Sequence, residues 1–291
     1  MTVLLQLLFQ GVGIGAVYAL VALGFVLIYR ATNVVNFAQG QFAVVGAYSM
    51  VVTTADLGLP YWLGILITLA VMALFGALFN LSVYYPLRNR SFLPVVISTI
   101  GASIFITNII LGIYGPEPSM LPPMLDAPGI SLGNLFLDAQ YLTIIAVTLA
   151  LVALQYLFFE HTLLGKRMQA VSQDKEMASL LGIKVGWMIM LTFIYSAMLG
   201  GIAGILVAPI LFVSVGLGGQ IALKAFAATI IGGFGDVPGA IVGGIAIGVI
   251  ETFGAYYISV PYKDAFAFIV LFAFLLLLPS GLFGEKVSQK A

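Results

Sequence analysis

Three groups of side chains in this sequence could do chemistry. The first is Lys224 and Glu251, two ionisable residues that each interrupt otherwise apolar sequence. Ionisable groups inside hydrocarbon mark function by default, as ion pathways or proton relays. An ion pair between neighbouring segments is the cheaper explanation, and it is the one favoured here. The second group is the amides Asn33, Asn36, Gln39 and Gln41, with Gln220 in the other half of the chain. Unpaired amides in hydrocarbon cost several kcal/mol each, so they must face protein, water or a cavity. They either line a path for a neutral or zwitterionic solute or bond between helices, where a contact averages about 0.6 kcal/mol.

The third group is a window of charge. The chain has 11 Lys and Arg and 11 Asp and Glu residues, and seven of these lie between Glu160 and Lys184. Each would cost roughly 2.5–3.5 kcal/mol at the centre of a bilayer, so the window lies in water. Asp174 and Glu176 stand where acids favour a helix N-terminus, and Ser172 or Asp174 could cap it. Met177, Leu180 and Leu181 fall at i, i+3 and i+4 and make one apolar stripe. Gly182 suits the C-terminal cap. The spacing predicts a short amphipathic helix in water, the kind that docks into a groove on a partner. The bland alternative is that the stripe packs on its own loops or on lipid headgroups.

The elements that carry these residues are membrane spans. The chain is 62% hydrophobic and 8% charged, whereas a soluble domain is about 25% charged. Charge-free runs cover 1–29, 31–55, 57–87, 91–116, 139–159, 185–223 and 265–284. A helix crosses a bilayer with about 20 apolar residues, so most of these runs hold a span. The runs are continuous rather than alternating, which argues against a β-barrel. The N-terminal run has neither a basic region nor a small-residue cleavage site and is expected to stay as a span. The 33 glycines suit close helix packing. Net charge is zero, which makes nucleic acid an improbable partner. There is no cysteine, so thiolate metal sites are excluded. The lone His161 reads as a solvated interfacial side chain, and no catalytic or metal set is expected.

Basic residues orient the spans. Arg30, the pair Arg88 and Arg90, the window at 160–186 and the tail residues Lys286 and Lys290 are placed in the cytoplasm by the positive-inside rule. The stretch 114–140 has five prolines and no Lys or Arg, and is placed outside with short loops at 56–62 and 259–264. Parity then requires Leu211 to Gly235 to cross, as a Gly-broken helix. The expectation is one domain over 1–291, an all-α polytopic bundle of about 8–10 transmembrane helices, nine by this count. Gly40-Gln41-Phe42-Ala43-Val44 echoes Gly219-Gln220-Ile221-Ala222-Leu223, each after a Gly/Ala-rich span. Run in opposite directions, these copies would form the inverted repeat of transporters, with interrupted segments at the pathway.

Several strings carry a family likeness: Gly15-Ala16-Val17-Tyr18-Ala19-Leu20, Asn36-Phe37-Ala38-Gln39-Gly40, Met177-Ala178-Ser179-Leu180-Leu181-Gly182-Ile183, Lys224-Ala225-Phe226, Gly232-Gly233-Phe234-Gly235-Asp236-Val237-Pro238-Gly239-Ala240, Tyr262-Lys263-Asp264 and Pro279-Ser280-Gly281. Together, over the whole chain, they resemble the LivH-type permease subunits of branched-chain amino acid ABC importers. Two positions depart from that pattern: Gln39 stands where the family usually has His, and Asp236 where it has Ser. The resemblance implies a bacterial inner-membrane importer of leucine, isoleucine and valine. It implies a second, LivM-like permease subunit, two cytoplasmic ABC ATPases and an extracytoplasmic binding protein. The window at 160–186 would then be the coupling segment on the ATPases. Urea or short-chain amide importers have similar permeases, and a standalone ion-coupled carrier is the rival of another class.

The residues themselves also call for an outside motor. A P-loop needs Gly-x-x-x-x-Gly-Lys-[Ser/Thr] to cradle phosphates. The one Gly-Lys pair is Gly165-Lys166, with Glu160 in place of the first Gly and Arg167 in place of Ser or Thr. No cofactor of its own is expected, and ATP is expected to bind to partner subunits.

Overall fold

The structure, a computed structural model, describes residues 2–125, 128–133, 135–278 and 280–283. Lys286, Lys290, Pro279 and Asp126 lie outside these. The apolar runs fold as helices, as a polar backbone in hydrocarbon must. Six are long and apolar enough to cross a bilayer. They are α1 (Thr2–Thr32), α3 (Tyr61–Phe79, continued to Leu87 by a π turn and a 3-10 turn), α4 (Phe92–Tyr114), α5 (Ala139–His161), α8 (Val185–Leu211) and α10 (Val237–Tyr257). Three apolar helices are shorter: α2 (Gln39–Val51, extended by a π turn to Asp56), α9 (Leu217–Gly232), where a Gly-broken crossing is expected, and α11 (Lys263–Leu277), in the run expected to hold a full span. Two more, α6 (Leu163–Gln173) and α7 (Lys175–Leu180), lie in the charged window.

Glycine sets the closest approaches. Helices α1 and α10 run antiparallel along a glycine seam. A Cβ on Gly15 would stand 2.6 Å from the Cα of Ile245, and one on Gly11 would stand 2.7 Å from the Cα of Val249. A Cβ on Gly248 would collide with the backbone of Gly15. In lipid no hydrophobic force drives helices together, so such contact between small residues carries the packing.

The Gly-Gln echo falls on the starts of α2 and α9. Gly40 lies against Ala222, and Val44 against Gly218. That pairing is antiparallel. Each short helix follows a long one, α1 and α8, after a break at Asn33 or Phe212, both with positive φ. The two short helices touch at their N-termini, where Gly40 meets Gly218.

One end of the bundle is basic. Ile28 of α1, Phe79 of α3, Val95 of α4, Met168 of α6, Ala178 of α7 and Met188 of α8 share one core cluster there. Arg30 and α6 therefore lie at the same end as Arg88, whose guanidinium stacks 3.6 Å over the Tyr85 ring. At the other end the Pro-rich stretch after α4 pairs Ser119 with Val213. It also forms a small antiparallel hairpin, β1 (Ile130–Leu132) with β2 (Leu135–Leu137). These strands are a local exception to the all-α expectation. Asp138 then caps α5 by accepting from the Gln140 N–H at 2.7 Å.

Candidate functional site

The charged window holds two helices rather than the single one expected. Glu160 and His161 finish α5 instead of starting a loop. Thr162 caps α6, its hydroxyl accepting from the Gly165 N–H at 3.0 Å. Ser172 is no cap, because it lies in the last turn of α6 and donates to the Gln169 carbonyl at 2.7 Å. Asp174 is the cap of α7. Its carboxylate accepts from the N–H groups of Glu176 and Met177, both at 2.9 Å.

The end of α7 is equally defined. Gly182 takes φ +77. Its N–H donates to Ser179, and that of Ile183 donates to Ala178, both at 3.0 Å. This pair of bonds closes a helix through a left-handed residue, which glycine adopts without strain. Six residues capped at both ends make a rigid peg. Its inner face buries Ala178, while Met177, Leu180 and Leu181 stand 55%, 82% and 72% exposed. Lys175 beside them is half buried, and burial lowers its pKa from the usual lysine range. The apolar stripe therefore points away from the protein's own core.

The five amides do not converge on one cavity. Asn33 is exposed at the end of α1 with φ +61. Asn36 is buried; its carbonyl oxygen accepts from the Ala38 N–H at 3.1 Å, and its Nδ2 has no partner among the described residues. Gln39 is fully buried. Its Oε1 accepts from the Ser196 hydroxyl at 3.0 Å, and its Nε2 donates to the Ser196 carbonyl at 3.4 Å. The same hydroxyl lies 3.1 Å from the carbonyl of Gly24. Gln39 thus ties α2 to α8 and α1, the geometry of an interhelical bond. Gln41 donates to the Ser103 hydroxyl of α4 at 3.4 Å. Gln220 is exposed and opens into a separate cleft.

That cleft lies away from the basic end, between α1, α9, α10 and the start of α11, and has a volume of about 310 Å³. Lys224 and Glu251 meet at its wall, with Nζ and Oε1 2.6 Å apart. Two further groups join them that sequence reasoning did not single out. The Tyr18 hydroxyl donates to Oε2 of Glu251 at 2.7 Å and accepts from Lys224 at 3.2 Å. Asp264 of α11 brings Oδ1 to 2.7 Å from Nζ, although that oxygen lacks hydrogen-bond alignment. The signal for Tyr18 was its hydroxyl inside the charge-free run 1–29, since a buried Tyr normally finds a partner. Asp264 was assigned to an outer loop, but the first turn of α11 brings it against Lys224 at the cleft wall.

Removing one member of a buried pair is costly because the other stays charged, about 3–5 kcal/mol. Lys224→Met leaves Glu251 and Asp264 facing each other without a cation. We expect it to lower folded yield more than the double change Lys224→Met, Glu251→Gln. The monodisperse fraction on size-exclusion chromatography measures this, and strict additivity of the two single changes would contradict the coupling.

The chain matches known proteins over nearly its full length. A family model described as "Branched-chain amino acid transport system / permease component" covers residues 7–275. The high-affinity branched-chain amino acid transport system permease protein LivH of Escherichia coli (strain K12) is 32% identical over 300 aligned positions, 98% of this chain and 97% of that one. The corresponding protein BraD of Pseudomonas aeruginosa is 31% identical over 299 positions, again 98% and 97%. Among solved structures, PsaBC from Streptococcus pneumoniae in complex with Fab superposes with a TM-score of 0.51 over 96% of this chain and 92% of that one. At 13% identity the likeness speaks of fold alone. The fold and the full-length match together place this multi-pass chain: it belongs to the family of permease components of branched-chain amino acid transport systems.

Proposed function

We propose that the chain is one permease subunit of an ATP-driven importer of leucine, isoleucine and valine in a bacterial inner membrane. The observation that carries this reading is α7, a doubly capped helix that presents an unpartnered apolar stripe at the basic end. The chain has no P-loop of its own, and this peg offers a seat for an ATPase that has one. The basic end is the cytoplasmic one. Two ATPases dock there, a LivM-like permease completes the pair within the lipid, and a binding protein delivers substrate to the opposite face. Family membership supports the branched-chain amino acids as substrate. Asn33, Asn36, Gln41 and Gln220 remain candidates for the path. Gln39 contributes by holding α1, α2 and α8 in register.

The amides near α2 carry no fixed charge, so the choice among amino acids resides in the binding protein. Replacing that protein with a docking-compatible relative of different specificity is expected to change which amino acid enters the cell. Unchanged uptake specificity after the exchange would place recognition in the permease instead. Delivery of urea but not leucine by the native set would favour an amide importer.

A further inference from the structure

The cleft formed by α1, α9, α10 and α11 contains more charge than a structural ion pair needs. Lys224 and Glu251 alone would neutralise each other. Asp264 adds a second carboxylate, and Lys263 lines the mouth and restores neutrality. The two carboxylates are held very differently. Glu251 is buried and fixed by the Tyr18 hydroxyl. Asp264 is 48% exposed, lies on another helix and touches Nζ without hydrogen-bond alignment. An ammonium has three donors. Lys224 directs two of them to Glu251 and Tyr18. The third faces Oδ1 of Asp264, an oxygen that is itself buried and has no hydrogen-bond partner among the described residues.

We propose that this cleft is a binding station for a zwitterionic aliphatic amino acid, which inserts into the Lys224–Asp264 contact. The inference rests on the importer reading above. The ligand carboxylate takes the third donor of Lys224. The ligand ammonium takes the carboxylate thereby released from Asp264. One ion pair becomes two, and the charge of the site does not change. The aliphatic side chain lies on Leu7, Ile14 and Ile221, which form the apolar wall. At about 310 Å³ the cleft is at the small end for ligand sites, which run from roughly 300 to 1,000 Å³. A lone anion would leave Asp264 without a cation, and urea carries no charge to offer either group. Lys224 and Asp264 would thus select for zwitterions on the permease itself, after the binding protein lets go.

The native chain has no cysteine, so one reporter thiol can read occupancy. Ala255 lines the cleft. The experiment uses full-length chain with Ala255→Cys, purified with the subunits that accompany it and without binding protein. Maleimide labelling is timed with leucine, isovalerate, isoamylamine or urea. Leucine is expected to slow labelling about tenfold at ten times its Kd. The other three should slow it far less. Asp264→Asn keeps the Lys224–Glu251 pair and should still fold, and it is expected to need at least about tenfold more leucine, one decade of affinity.

Protection by isovalerate or isoamylamine equal to that by leucine overturns the zwitterion site, as does undiminished protection in Asp264→Asn. Leucine uptake by the same complex with its binding protein separates the two readings. Uptake without protection removes the site and keeps the function. Protection without uptake keeps the site and removes the function. Absence of both removes both.

Discussion

Leu180→Asp is expected to release the ATPases while the permease remains folded in the membrane. Leu180 is 82% exposed. An exposed substitution ordinarily changes stability by about 0.5 kcal/mol or less. The caps of α7 use Asp174 and Gly182, which the change leaves intact. The cost arises when a partner covers the stripe, because the new carboxylate must then lose its water without gaining a counter-charge. A central interface residue costs about 2 kcal/mol or more, roughly 30-fold in affinity. Co-purification of the ATPases and ATP-driven uptake should both fall by at least that factor. Ala178→Asp, on the buried face of the same helix, should instead damage folding of the permease. Normal co-purification and normal uptake in Leu180→Asp would reject the docking role of α7.

Gly248→Ala is expected to collapse the folded yield. The added methyl would meet the backbone of Gly15, which cannot rotate away as a side chain could. Helices α1 and α10 would have to separate along their glycine seam. Overpacking typically costs about 1–3 kcal/mol, and more where backbone must move. Gly101→Ala in α4 is the matched control. A Cβ there meets open space, and alanine favours helix over glycine by about 0.8–1.0 kcal/mol. Its folded yield should equal that of the native chain or exceed it. Native yield for Gly248→Ala would show that the seam is not closed.

Both predictions show what the sequence reveals and what it hides. The spans were legible because the bilayer imposes one length and one composition on them. Helix α7 was legible because its cap, stripe and closing glycine all lie within nine residues, Asp174 to Gly182. Lys224 and Glu251 were legible because charge amid apolar sequence needs a partner. Helix α6 was not, since its buried face is only Gly165, Met168 and Val171, set among charged and polar residues that read as a loop in water. The hairpin Ile130–Leu137 was hidden in a Pro-rich stretch whose pairing depends on a local turn. The lock on Gln39 depends on Ser196, a residue 157 positions away. Asp264 was missed because only tertiary folding brings the first turn of α11 against Lys224. Local patterns therefore gave the elements, and contacts between distant segments decided which polar residues meet.

The central claim is that this chain is a passage driven by an external motor, and reconstitution into liposomes tests it most directly. Leucine uptake is measured for the purified chain alone and for the chain with its second permease, ATPases and binding protein, each with and without ATP. Uptake is predicted only for the complete set with ATP. Robust leucine uptake by the chain alone, without ATP, would contradict the account.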